Sequence, residues 1–262
     1  MSEAGIEIDV RDVTKVYQTR NGELVHALDA VSLKTAPGEF VSVLGPSGCG
    51  KSTLLMLIAG LLPVTKGELR LAGETLARPR EDCSVVFQRD VLLAWRSVLD
   101  NVLLPVEIKR LDRDRYGARA RELLAMVGLS GFEQKYPSEL SGGMRQRVAI
   151  CRALVQEPRL LLMDEPFGAL DALTREQMAL DLQRMWSTRR HSVLFITHSI
   201  EEAVFLSDRV IVMSPRPGRI VEDIRIGLAR PRGGQTRNDP AFAGHVERIR
   251  SLFRAQGVLS DA

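Results

Sequence analysis

Gly45-Pro46-Ser47-Gly48-Cys49-Gly50-Lys51-Ser52 follows the apolar run Phe40 to Leu44 and leads straight into a helical pattern that starts near Thr53. The segment satisfies GxxxxGK[ST] in the order strand, glycine loop, helix. Each residue type has a physical role. The glycines let backbone N–H groups converge on phosphate oxygens, and the helix N-terminus adds a favourable dipole. Lys51 is placed to reach β and γ phosphates, and Ser52 has the hard oxygen that suits Mg²⁺. Gly45 to Thr53 is therefore the first candidate ligand site, and its setting points to an α/β fold.

Outward from this loop, short apolar or β-branched runs recur at Ser84 to Phe87, Leu160 to Met163, Val193 to Thr197 and Val210 to Met213. They read as buried strands, and the helical patterns between them (Leu54, Leu55, Leu57, Ile58, Leu61; Met178, Leu182, Met185, Trp186) predict a largely parallel sheet. From about Val91 to Gln156 the pattern is mostly helical, with Gly128 as a helix stop after Leu123, Leu124, Met126 and Val127. A helical subdomain over 89–156 is thus expected inside an α/β core of 1–88 and 157–230. Residues 231–262 are read as a loop and an amphipathic helix, with Asp239 as N-cap, Pro240 at N1 and Phe242, Val246, Ile249, Leu252 and Phe253 on one face.

The strand Leu160 to Met163 ends in Asp164-Glu165, and period-2 geometry sends adjacent side chains to different sides. Asp164 suits Mg²⁺ coordination through water, and Glu165 suits polarising an attacking water. Gln88 and His198 end their own strands in the same way, and in an open parallel sheet that edge is the ligand crevice. Lys51, Ser52, Gln88, Asp164, Glu165 and His198 are accordingly expected around one triphosphate. A third signal, Leu140-Ser141-Gly142-Gly143-Met144-Arg145-Gln146-Arg147, precedes apolar helical spacing and makes Ser141-Gly142-Gly143 a helix N-terminus open to anions.

From about Ile6 to Glu222 these segments resemble, in order, the nucleotide-binding subunits of ABC transporters, with Walker A, Q-loop, LSGGM signature, Walker B, D-loop and H-loop. The resemblance implies an ABC-type P-loop NTPase fold, ATP and Mg²⁺ as cofactors, and Glu165, His198 and Gln88 as catalytic residues. It also implies Ser52, Gln88 and Asp164 at the metal, Tyr17 stacked on adenine, and Asp171 in the D-loop Gly168-Ala169-Leu170-Asp171. In this family the signature completes the ATP site of the opposite subunit, so Ser141, Gly142 and Gly143 are expected to serve a second copy, or a paralogous ATPase, in a head-to-tail dimer. Transmembrane permease subunits and, indirectly, a solute-binding protein are the further partners implied. Phe87 to Trp95, Asp100-Asn101-Val102 and Ser214 to Ile220 look like the nitrate, sulfonate and taurine import class, although Ala94 replaces the usual proline and Met144-Arg145 the usual Gln-Gln or Gln-Arg.

Composition limits the alternatives. The 262 residues, 45% hydrophobic, suffice for a full core, and a net charge of +3 with basic pairs set apart from aromatic residues argues against a nucleic-acid partner. The longest apolar stretch, Leu54 to Val64, falls well short of the roughly 18 residues that span a bilayer. Met1-Ser2-Glu3-Ala4 lacks a signal pattern, and Cys49, Cys83 and Cys151 form no CxxC pair. A cytoplasmic protein, peripheral on the inner face of the plasma membrane, is expected. A soluble ABC ATPase of translation or repair fits less well, because the chain has one set of motifs and no sustained heptads.

Overall fold

The computed structural model describes residues 5–168 and 170–259. In chain order the elements are β1 (Ile8–Gln18), β2 (Leu24–Lys34), β3 (Phe40–Leu44), α1 (Lys51–Ile58), β4 (Lys66–Leu71), β5 (Glu74–Thr75) and β6 (Cys83–Val86). They continue as α2 (Val98–Ile108), α3 (Arg113–Met126), α4 (Gly142–Leu154), β7 (Leu160–Asp164), α5 (Ala172–Arg189), β8 (Ser192–Ile196), α6 (Ile200–Leu206), β9 (Arg209–Met213), β10 (Ile220–Arg225) and α7 (Pro240–Ala255).

The main sheet has the order β10-β9-β3-β8-β7-β6, parallel throughout except for the antiparallel edge strand β10. Alternation along its central strands divides the core in two. Phe40, Leu161, Met163, Val193 and Phe195 point to one face, where they pack with α2 to α7. Val41, Val43, Leu160, Leu162, Leu194 and Ile196 point to the other, against α1 and a second sheet. Because both faces are covered, β3 and β8 are buried at every position and, apart from Ser42 and Ser192, read as apolar runs. On the first face Trp186 meets Phe40 edge-on at 5.8 Å between ring centroids, and its indole N–H donates to the His191 carbonyl at 2.8 Å.

The second sheet, β2-β1-β4-β5, is antiparallel, whereas periodicity in the sequence points only to a largely parallel one. The β1–β2 ladder shifts register three times and Asp12 and Ala30 both take positive φ, so the alternation that marks a strand is broken. One smaller difference has a simple cause. Leu61 lies beyond the end of α1 and is 45% exposed, because the chain turns at Gly60 with φ 71. Trp95, equally compatible with a core position by sequence, is 75% exposed.

The C-terminal segment docks through a buried cation. The Arg232 guanidinium, 3% exposed, donates to the carbonyls of Val204, Phe205 and Ser207 at the end of α6 and to those of Ile226 and Leu228. A helix end leaves such carbonyls without intrahelical partners. Among the described residues no helix is long and apolar enough to cross a membrane.

Candidate nucleotide site

Parallel pairing of β3, β6, β7 and β8 brings their C-terminal ends to one edge, which carries the Gly45–Ser52 loop, Gln88, Asp164-Glu165 and His198. At the loop, Gly50 caps α1 with φ 103, and an ideal Cβ there would stand 2.7 Å from the Ala27 carbonyl oxygen. Gly48 has φ 76 with open space around it, so its requirement is purely conformational. The Lys51 ammonium folds back to donate to the carbonyls of Gly45 at 2.8 Å and Pro46 at 3.0 Å. Cys49 is buried in the apolar cluster on the α1 face of the main sheet, and burial raises its thiol pKa.

Ser52 Oγ donates to Asp164 Oδ1 at 3.0 Å. Burial pushes the Asp164 carboxyl above its ordinary range, an effect that the Ser52 hydrogen bond opposes and the neighbouring Glu165 charge reinforces. The serine hydroxyl and the carboxylate are adjacent hard oxygens, a donor set that fits Mg²⁺. Glu165 points elsewhere. Its Oε2 lies 3.4 Å from Gln88 Nε2 and 3.3 Å from His198 Nδ1, and its backbone takes φ 44, a left-handed conformation rarely adopted by a residue with a long side chain. Such strain concentrates at functional sites.

Tyr17, Lys51, Ser52, Gln88, Glu165 and Arg216 line one cavity of about 440 Å³. Tyr17 is therefore no core aromatic; it is 36% exposed and its hydroxyl is 3.4 Å from Thr53 Oγ1. The residues on either side of His198 are pinned, the Ser199 N–H donating to Thr197 Oγ1 at 3.0 Å. Thr197 Oγ1 donates to Glu202 Oε2 at 2.6 Å, Ser199 caps α6 by accepting from the Glu202 N–H, and Arg175 of α5 pairs with Glu202 at 3.4 Å. Burial raises the Glu202 pKa, with Thr197 and Arg175 pulling the other way.

Ser141, Gly142 and Gly143 do not join this cavity. Ser141 caps α4 by accepting from the Met144 N–H at 3.2 Å, and Ser141 and Gly142 are exposed. An ideal Cβ on Gly143 would stand 3.0 Å from Thr174 Cγ2, which puts the start of α4 beside the start of α5, where Asp171 is the N-cap. Hydrogen bonds from Thr174 hold the Asp171 carboxyl below its ordinary range. Of the expected D-loop, Ala169 lies outside the described residues.

Sequence reasoning missed the tie between these two regions. Arg145 Nε donates to Asp90 Oδ2 at 2.9 Å, and Arg152 donates to the carbonyls of Asp90 and Val91 at 2.8 Å each. The chain after Gln88 is thereby fastened along the helix that begins at Ser141. Arg145 first stands out as a departure from a familiar motif, and its partner is too distant in sequence for any local pattern to mark the pair.

A glycine-rich turn opening a helix, a lysine inside it and a strand-end Asp-Glu beside a serine define a P-loop nucleotide-binding protein. Comparison with known proteins narrows the class. The ABC transporter family model matches residues 28–168. A taurine import ATP-binding protein of Rhizobium johnstonii is 50% identical, over 94% of this chain and 96% of that protein. An uncharacterised ABC transporter ATP-binding protein of Methanocaldococcus jannaschii is 48% identical over 87% of this chain and 85% of its own. A solved dimeric ATP-binding cassette in a post-hydrolysis state, bound to ADP and Pi, superposes with a TM-score of 0.75 at 33% identity, covering 85% of this chain and all of that one. The chain belongs to the ABC transporter family, as an ATP-binding cassette of α/β P-loop fold.

Proposed function

We propose that the chain is the ATP-hydrolysing subunit of an ABC importer for a small anionic solute such as taurine, another sulfonate or nitrate. The observation that carries the chemistry is the convergence of Gln88 and His198 on the Glu165 carboxylate, beside a loop built for phosphates. Glu165 is the base that takes a proton from water as its oxygen bonds to the γ phosphorus and the bridging oxygen leaves with ADP. His198 and Gln88 hold that carboxylate and the attacking water in line. Lys51 exchanges its two loop carbonyls for phosphate oxygens, and Tyr17 offers its ring to the adenine. Ser52, Asp164 and Gln88 would hold Mg²⁺, which neutralises phosphate charge when bound.

Two chains are proposed to close head-to-tail on two ATP molecules, Ser141, Gly142 and Gly143 of each meeting the γ-phosphate held by the other, with Asp171 at the junction. What supports this is the exposure of Ser141 and Gly142 outside their own chain's cavity, together with the dimeric state of the similar cassette. The division into a core of 1–88 and 157–230, a helical subdomain of 89–156 and a C-terminal 231–262 belongs to the same reading. Its support is that, among the described residues, no strand lies between β6 and β7. The exposed Trp95, with Leu92 beside it, is the proposed docking point for a cytoplasmic permease helix, which gives a peripheral location on the inner face of the membrane. The importer and solute class rest on the taurine import relatives, which cover nearly the whole chain.

The test is to tag the chain in its native host, solubilise membranes in mild detergent and identify co-purifying proteins by mass spectrometry. Recovery of a multi-span permease from wild type, lost in Trp95→Glu with ATP hydrolysis retained, is the expected result. Recovery of soluble partners alone would overturn the importer reading.

A further inference from the structure

The segment Ser214 to Ile220 has no part in the chemistry proposed for Glu165, yet it is built onto the nucleotide loop. In the main sheet β9 pairs in parallel with β3, Leu44 facing Val212, so the turn after β9 lies beside the glycine loop after β3. The contact is close. An ideal Cβ on Gly218 would stand 2.0 Å from the Cys49 carbonyl oxygen, and only glycine leaves room for that backbone. The Gly218 N–H donates to the Ala27 carbonyl at 3.0 Å, and the Asp29 N–H donates back to the Gly218 carbonyl at 3.1 Å. Arg219 closes the turn, its N–H donating to Ser214 Oγ at 3.1 Å and its guanidinium paired with Asp29 at 2.5 Å.

This fastening holds Arg216 at the cavity wall. Arg219, three residues on, has a carboxylate; Arg216 has neither an ion pair nor a hydrogen bond among the described residues and is exposed. Among the described residues Lys51 is the other cation lining the cavity, and Glu165 is its one acid. An unpaired guanidinium held on a rigid turn beside a phosphate loop has the shape and charge to meet a phosphate oxygen through two parallel N–H donors.

We propose that Arg216 is a further nucleotide-binding residue, its guanidinium meeting anionic oxygens of the phosphate chain of the ATP held by the same subunit. The inference rests on the reading of the cavity as an ATP site. It accounts for the whole Ser214 to Ile220 motif, since Gly218 and Arg219 fix the turn and Arg216 is what the turn presents.

The full-length chain, wild type and with Arg216→Ala, Arg216→Lys and Arg216→Glu, is titrated with Mg-ATP by calorimetry, and the nucleotide-free melting temperature of each is recorded. Arg216→Ala is expected to weaken ATP binding about fivefold, the effect of one charge-assisted contact at an open site. Arg216→Glu should weaken it further and Arg216→Lys restore most of the loss, with unchanged melting temperatures because Arg216 has no partner to lose. Wild-type affinity in both Arg216→Ala and Arg216→Glu overturns the inference alone. Equal weakening in those two also overturns it, since the contact is then stacking and not charge. A wild-type chain that binds no ATP overturns the functional reading and this inference with it.

Discussion

Arg232→Met keeps the aliphatic stem and removes the donors that hold the C-terminal segment to α6. Five carbonyls lose their guanidinium partner, three of them at the α6 terminus, in a site where the side chain is 3% exposed. Burial lowers the pKa of this guanidinium to about 10, still far above neutrality, so the interaction lost is that of a full charge with a ring of carbonyl dipoles. A buried acceptor left unsatisfied costs about 1–3 kcal/mol, and the two terminal nitrogens, which make all five contacts, carry four N–H donors between them; with partial rehydration of the turn the total is about 3–5 kcal/mol. For a chain of this size that is a fall in Tm of roughly 8–15 °C. Differential scanning calorimetry on the nucleotide-free protein reads it, and Arg232→Lys, with a shorter reach, should recover about half of the loss. A Tm for Arg232→Met within about 2 °C of wild type would refute the assignment of Arg232 as the clasp of this segment.

Other outcomes follow from the same geometry. Gly50→Ala places a methyl 2.7 Å from both the Ala27 carbonyl oxygen and Leu28 Cδ2 at φ 103, and should cost about 2–4 kcal/mol and abolish ATP binding by calorimetry. Asp90→Arg and Arg145→Asp should each lower ATPase turnover severalfold, and the double swap should recover at least half of it, because the pair ties the chain after Gln88 to the signature helix. His191 is buried and burial lowers its pKa to about 4, so below pH 6.5 the unfolded chain takes up a proton that the folded chain refuses. Stability should therefore fall by about 3 kcal/mol between pH 6.5 and 4, and urea midpoints of His191→Leu across that range should lack this component.

The glycine loop, Asp164, Glu165, Gln88 and His198 were all legible because each terminates a buried apolar strand, and parallel pairing sends such ends to one edge. Strand positions came within about a residue for the same reason; β6 ends at Val86 and not Phe87, where the side chain becomes exposed. What periodicity could not reveal depends on long-range backbone events. The antiparallel sheet hides behind the irregular β1–β2 register, and the clasp by Arg232 joins residues that share no pattern. Tyr17 and Trp95 show the limit for single aromatics, whose apolar character fits a core and a binding face equally well. The Arg145–Asp90 pair and the fit of Gly218 against Cys49 needed coordinates.

Glu165→Gln probes both the hydrolytic chemistry and the completion of the ATP site by a second copy. An amide cannot take a proton from water, and loss of a general base removes about 10²–10⁴ in rate, or roughly 3–5 kcal/mol of barrier. Turnover by phosphate release and mass by light scattering should be measured on one preparation with and without saturating Mg-ATP. Hydrolysis should fall at least about a hundredfold while ATP converts the variant to a stable dimer. Wild-type turnover would contradict the role of Glu165, and a variant that binds ATP yet stays monomeric would contradict the shared site.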